Sequence, residues 1–535
     1  MSAHPVHITP LTPLLLLERS ADVFADATAV VHGDVRMTYR DLAAEVQRVA
    51  AGLRASGIGP GDRVAYLCPN TPTLLVAHFA VPLAGAVLVA VNTRLHAEEV
   101  RSICLHSGAR MIVADTALAG SVVPVIDRMG VGEVVWDDDG TGADPGAPGT
   151  PYATLRERGE GAASLPWRVD DEDATIAINY TSGTTGAPKG VMYTHRGAYL
   201  NALGENITAA HGPDTVYLWT LPMFHCNGWC HPWAIVAAGG VQVCLRAVRG
   251  DAIWRLIDEE GITHLNGAPA VLSMLVNDPG AHPLDHPLCV MTAAAPPNPT
   301  VLAQTEALGA RVVHVYGLTE TYGPHTVCQW QLGWAGEEPV ERARLLSRQG
   351  VAMVMADPIR VVGPDGADVP RDGVTVGEVV MTGNNVMKGY FADPEGTAAA
   401  FRGGVFHSGD LGVHHPDGYI ELRDRAKDVV ISGGENISTI EVEQAVTSHP
   451  AVLEAAVIGI PDDRWGERPK AFVVLRAGAS AGADELTAHV RGRLAAYKCP
   501  DAFEVVDELP RTSTGKVRKF ELREREWTGH QRRIN

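Results

Sequence analysis

Residues 179–190 read NYTSGTTGAPKG and follow the apolar run Ile176–Ala177–Ile178. A dozen residues hold three glycines, four Ser/Thr hydroxyls and Lys189. Glycines let successive backbone N–H groups converge on one anion without Cβ interference, and the hydroxyls add donors. A buried strand breaking into such a loop reads as a phosphate cradle. It is not a Walker A loop, which would carry Gly-Lys followed by Ser or Thr; here Lys189 stands between Pro188 and Gly190.

Outward from that loop, helix and strand signals alternate. Thr38 to Leu53 reads as a helix, capped by Thr38 with Asp41 three residues on, and with Leu42, Val46, Val49 and Leu53 at helical spacing. Val64 to Cys68 reads as a buried strand after the turn Gly59–Asp62. Leu74 to Val91 approaches membrane-spanning length, but His78, Pro82 and Gly85 interrupt it; a buried helix turning into a strand fits better. The pattern predicts an α/β architecture. Residues 137–166, rich in Gly, Pro and acid, read as an irregular surface excursion. Near residues 417–438 a turn, a charged cluster and a glycine pair mark a boundary. Beyond it helix 439–448, strands 455–459 and 471–475, helix 484–494 and strand 502–506 outline a small α+β domain. The expected division is 1–424 and 425–535.

Length and charge narrow the function. A chain of 535 residues, 46% hydrophobic and 20% charged, is globular and larger than one cooperative core. Its formal charge of -19 argues against nucleic acid or anionic membrane as partner. The N-terminus lacks a basic region and cleavage site, and none of the eight cysteines forms a CxxC pair, so a cytoplasmic protein with no integral membrane association is expected. The cluster His225-Cys226-x3-Cys230-His231 has metal-ligating residue types, but adjacent ligands on one short segment poorly form a tetrahedron.

Five stretches in order, YTSGTTGAPKG (180–190), YGLTET (316–321), HSGDLG (407–412), DRAKDVVISGGENIS (424–438) and PRTSTGKVRK (510–519), closely resemble the adenylate-forming superfamily of acyl-CoA synthetases, adenylation domains and luciferases. PMFHCNGW (222–229) is most similar to fatty and aryl acid CoA ligases. The resemblance implies a large N-terminal domain of β-sheets sandwiched by helices and a small mobile C-terminal domain. It implies ATP, Mg²⁺ and coenzyme A, with a small-molecule carboxylic acid activated as an acyl-adenylate before a thiol displaces AMP.

The same resemblance assigns roles. Thr181, Ser182, Gly183, Thr184, Thr185 and Lys189 would hold the departing pyrophosphate, and Ala295, Tyr316 and Gly317 would lie at the nucleotide. Glu320 would bind Mg²⁺ and Thr319 would donate to the α-phosphate. Read alone, Glu320 is equally a carboxylate at a helix N-terminus. Asp410 and Arg425 would reach the ribose, a buried ion pair being the plain alternative. Lys516 would bridge carboxylate and α-phosphate, and Lys427 would be the hinge. Gly433, Gly434 and Glu435 would line the CoA path; His225, Gly228, Trp229, Ala294 and Tyr322 would shape the acyl pocket. The related adenine loop reads T-A-G-A-P-P, whereas Ala294 stands here at its glycine position. Three other readings remain open: an enzyme limited to the thioester-forming half-reaction, one loading a separate carrier protein, and an ATP-binding sensor. A homodimer is the base-rate expectation.

Overall fold

The computed structural model describes residues 6–181, 188–293, 299–462, 464–512 and 516–528. The helix Tyr39–Ala55 forms where its period predicts: Thr38 Oγ1 accepts from Asp41 N, Asp41 takes the Thr38 N–H in return, and Leu42, Val46, Val49 and Leu53 are fully buried. Gly52 on this helix lies against a neighbour that the sequence reading missed. A Cβ there would sit 2.1 Å from the Leu155 carbonyl oxygen. Residues 137–166 are therefore not wholly irregular. They contain a short strand, Thr150–Pro151, and a helix, Tyr152–Glu157, seated by buried Leu155 and by Arg156 on Glu45 at 2.5 and 2.9 Å.

Two large sheets make the N-terminal body. The eight-stranded one has parallel strands Thr175–Thr181, Val87–Ala90, Arg63–Leu67, Ala109–Asp115 and Glu133–Asp137 at its centre. The nine-stranded one is parallel from Thr28–His32 to Ala310–Leu318 and antiparallel at both ends. One continuous core joins them, with Pro72–Leu83 and His231–Ala238 inside it. From Leu74 to Leu83 the first of these helices is buried on every side, and the strand Val87–Ala90 follows; its apolar run is thus core. Among the described residues no helix is long and apolar enough to cross a membrane.

A third, four-stranded sheet ends in Phe406–His414 and Ile420–Arg425, after which the chain enters the small C-terminal sheet. Its strands Val452–Asp462 and Gly466–Leu475 form one long hairpin; the first extends three residues past the expected run at each end, and the second begins five residues earlier and ends at Leu475 as read. Cross-strand ladder pairing extends past the apolar run because the backbone bonds do not need it. A terminal helix, Lys519–Trp527, was not expected from its mixed charge; Leu522 and Arg523 anchor it.

Candidate active site

Four elements of the large domain converge, joined by Lys516 from the small one. The first is the strand pair Thr175–Thr181 and Lys189–Thr194, in register from Thr175↔Thr194 to Thr181↔Lys189. The loop they carry includes Ser182, Gly183, Thr184 and Thr185, which lie outside the described residues. So do Ala294 and Ala295. Lys189 is exposed, with its Nζ 4.5 Å from the Tyr390 ring centre, and the Tyr390 hydroxyl donates to Glu320 Oε1 at 2.9 Å. Tyr390 therefore stands between the loop lysine and the carboxylate.

The second segment is the end of strand Ala310–Leu318. Register shifts at Tyr316/Gly317, and a Cβ on Gly317 would fall 1.9 Å from the Gly323 carbonyl oxygen. Only glycine admits that approach, so the bulge aims the next residues out of the sheet. They form a short 3-10 turn, Thr319–Thr321, with the Tyr193 hydroxyl donating to the Thr319 carbonyl at 2.6 Å. Tyr322 follows at φ 63° and turns inward; its ring stacks on Tyr193 at 3.9 Å and its hydroxyl accepts the Thr194 N–H at 2.8 Å. Tyr322 thus braces the wall from behind.

Asp410 and Arg425 are cross-strand partners in the third sheet. The buried Asp410 takes the Tyr316 hydroxyl at 2.7 Å on one oxygen and Arg425 Nε at 3.0 Å on the other. Asp410 in turn raises the Arg425 guanidinium above its ordinary range. Into this neighbourhood the small domain inserts Lys516. Its root is fixed by Thr512 N donating to the Lys516 carbonyl at 2.7 Å and Lys516 N donating to Thr512 Oγ1 at 3.1 Å. Burial and the nearby Arg425 lower the Lys516 ammonium, while Asp410, Cys226 and Glu320 raise it. The lysine is thus in electrostatic reach of the predicted nucleotide, metal and acyl positions at once.

The fourth element is a left-handed turn. Cys226, Asn227, Gly228, Trp229 and Cys230 all hold φ between 48 and 62°. Asn227 is locked by Asn179: Asn179 Nδ2 donates to Asn227 Oδ1 at 2.6 Å, and Asn227 N donates back to Asn179 Oδ1 at 3.2 Å. His225 precedes the turn; burial and then Lys516 push its imidazole down to about 3, so it is neutral. The Cys226 sulfur lies 3.6 Å from both His225 Nε2 and Thr319 Oγ1. Trp229 is buried against Gly323, where a Cβ would come within 2.7 Å of its ring. Among the described residues no cluster of three metal-ligating side chains exists. His231 instead gives Nδ1–H to the Gly228 and Trp229 carbonyls and accepts Asn266 Nδ2 at 2.9 Å.

At the domain junction, burial presses Lys427 down to about 8. Beside it Asp424, not singled out in the sequence, takes the Thr439 N–H at 2.5 Å and the Thr439 hydroxyl at 3.1 Å, tying the last large-domain strand to the first small-domain helix. Gly433 and Gly434, both at positive φ, form the two-residue turn between strands Val430–Ser432 and Glu435–Ile437. That turn, with Glu435, is exposed, whereas Lys516 is half-buried. Tyr390, Asn179 and Asp424 escaped sequence reading because each acts through a partner distant in the chain.

A family model described as AMP-binding enzyme matches residues 17–391, and one described as AMP-binding enzyme C-terminal domain matches 441–516. The chain is 44% identical to a 2-methylpropanoate–CoA ligase of Humulus lupulus, over 98% of this chain and 96% of that one. It is 42% identical to a peroxisomal acetate/butyrate–CoA ligase of Arabidopsis thaliana, over 97% and 95% respectively. ATP-bound MatB from Rhodopseudomonas palustris superposes with a TM-score of 0.84 at 29% identity, covering 97% of this chain and 99% of that one. The chain belongs to the AMP-binding enzyme family. It is an AMP-forming acid–CoA ligase, working through an acyl-adenylate.

Proposed function

We propose that the enzyme activates a short aliphatic carboxylic acid, and that the small domain serves its two half-reactions with opposite faces. The observation that carries this reading is Lys516, which reaches from the small domain toward Asp410, Arg425 and Glu320 while the glycine turn Gly433–Gly434 faces solvent. In this arrangement Lys516 supplies positive charge between the acid's carboxylate and the α-phosphorus, where negative charge develops as pyrophosphate leaves. The neutral His225 and Thr319 stand at the acid's entry without adding competing charge. Rotation at Lys427 would then withdraw Lys516 and bring in the glycine turn for CoA, so we place the domain division at 424/425.

Glu320 suits Mg²⁺ chemically: one carboxylate, held by Tyr390, leaves the other ligands to phosphate oxygens and water, as that cation prefers. The ion would supply charge neutralisation on the leaving group. Two observations favour a short acid. Trp229 fills the wall beside the left-handed turn, and the named relatives act on 2-methylpropanoate and on acetate or butyrate. The eight cysteines, all free and buried, support a reducing compartment such as the cytoplasm. Pyrophosphate exchange across a panel of two- to eight-carbon acids tests this reading. A maximum at about four carbons is expected, and exchange only with long-chain or aryl acids overturns it.

A further inference from the structure

Behind the left-handed turn lies a set of buried polar groups that the reaction above does not use. Asn201 and Glu205 stand one turn apart on the helix His195–Ala209, and both are fully buried. Neither amide atom of Asn201 and neither carboxyl oxygen of Glu205 has a hydrogen-bond partner among the described residues. The same holds for the buried Tyr217 hydroxyl and for Asn227 Nδ2. The Cys230 thiol, a weak partner, lies beside Asn201. This helix packs on His231–Ala238, with Asn206 Nδ2 donating to the Ala234 carbonyl at 2.9 Å, and the Tyr217 ring stacks on His231 at 5.1 Å. Glu205 acts electrostatically on both Tyr217 and Cys230, and Asn201 lies against Cys230, so Glu205, Tyr217 and Asn201 share one interior region, bounded by the turn whose other end touches Thr319.

So many unmade hydrogen bonds in one place would exceed what a marginally stable fold tolerates, so a polar guest belongs among them. The guest is uncharged. Burial holds the Glu205 carboxyl far above the usual carboxylate range, making it a neutral acid that both donates and accepts. Asn201 and Tyr217 likewise each offer a donor and an acceptor. That set matches a hydroxyl or a carbonyl, whereas a second carboxylate would have to be buried there without a charged partner.

We propose that this region is the far end of the acyl pocket and that Glu205 and Asn201 select short acids bearing a hydroxyl or carbonyl group remote from the carboxylate. The proposal rests on the acid–CoA ligase reading and names the substrate class of that same site. The acid's carboxylate sits at Thr319 and Lys516, and the turn Cys226–Cys230 spans from there to Asn201. Water is the competing guest, and the two differ in selectivity.

The test compares kcat/KM for matched pairs, butanoate with 3- and 4-hydroxybutanoate and pentanoate with 4-oxopentanoate, at saturating ATP and CoA. Wild-type enzyme prefers a substituted acid by about tenfold or more, since a site built to bond a group leaves polar atoms unpaired without it. Glu205→Leu and Asn201→Leu each cut that ratio about tenfold, while Glu205→Gln, which keeps a donor and an acceptor, holds it within about threefold. A wild-type ratio of one or less across the panel, or a ratio untouched by both leucine variants, means that water alone fills the region and overturns the proposal. Should a leucine variant not fold, Glu205→Gln and the wild-type panel still decide. Absence of CoA ester from every acid, plain or substituted, would instead sink the underlying ligase reading.

Discussion

Lys516→Met keeps the stem and removes the charge, and the two half-reactions should part company. The cation with the largest effect on the ammonium is Arg425, which Asp410 already engages at 3.0 Å. On the proposed reading, Lys516 meets the incoming carboxylate and α-phosphate. One unit charge about 4 Å from a phosphate oxygen is worth roughly 4 kcal/mol at an effective dielectric constant of about 20. Loss of a preorganised donor elsewhere costs about 3–4 kcal/mol, so adenylation should fall by two to three orders of magnitude. Thioester formation from a synthetic acyl-adenylate should stay within about threefold, since the proposed rotation gives that step to the other face of the small domain. Pyrophosphate exchange reads the first step and CoA-ester formation the second. An equal fall in both steps in a properly folded variant, or a fall in neither, refutes the reasoning. The alkaline limb carries the same signature. Burial lowers the Lys516 pKa below 10.5, so adenylation should lose its protonated lysine at lower pH than an ordinary lysine would, and that limb should vanish in the methionine variant.

Three further outcomes follow from the geometry. Gly317→Ala sets a Cβ 1.9 Å from the Gly323 carbonyl oxygen, so melting temperature and pyrophosphate exchange should both drop, the first by the equivalent of about 1–3 kcal/mol; wild-type values in both would contradict the bulge. Asp137 is buried and its carboxyl is pushed up from 3.8 to about 6, chiefly by burial. The native state therefore binds more protons than the unfolded chain between those values, and stability falls as pH rises through that window, by about 3 kcal/mol in all. Asp137→Asn should raise the melting temperature at pH 7 and leave it unchanged at pH 4; equal shifts at both would dismiss the charge as the cause. Asp424→Asn weakens the tether to Thr439; if, as proposed, the present domain arrangement serves adenylation, exchange should slow a few-fold while thioester formation from acyl-adenylate does not. Parallel slowing of both steps would rule out a tether.

Local signals told most of the fold. Thr38 with Asp41 and the period of the helix after them are decided within a few residues, and both appear as read. The helix Tyr152–Glu157 was hidden because its glycine- and proline-rich flanks dominate composition, while its burial depends on Gly52, a hundred residues away. The site divides the same way. Asp410, Arg425, Glu320 and Lys516 come together from motifs spread over two hundred residues, and only the resemblance could link them. Tyr390 and Asp424 carry no signature, since a tyrosine and an aspartate become informative only once their partners, Glu320 and Thr439, are in place.

The left-handed turn shows why some of the site was beyond any local reading. Asn227 and Gly228 tolerate positive φ, but Cys226, Trp229 and Cys230 do not favour it, and these three cost about 1–2 kcal/mol each. Such strain persists only where the surroundings over-determine the conformation. Here they act at both ends and the middle: Thr319 beside Cys226, the paired amides of Asn179 and Asn227, Trp229 wedged on Gly323, and Asn201 beside Cys230. A turn held this way transmits displacement rather than absorbing it. A guest that satisfies Asn201 and Glu205 therefore steadies Cys226 against Thr319, and the far end of the acid is felt where its carboxylate reacts. Binding energy gained remote from the chemistry would then appear in kcat as well as in KM.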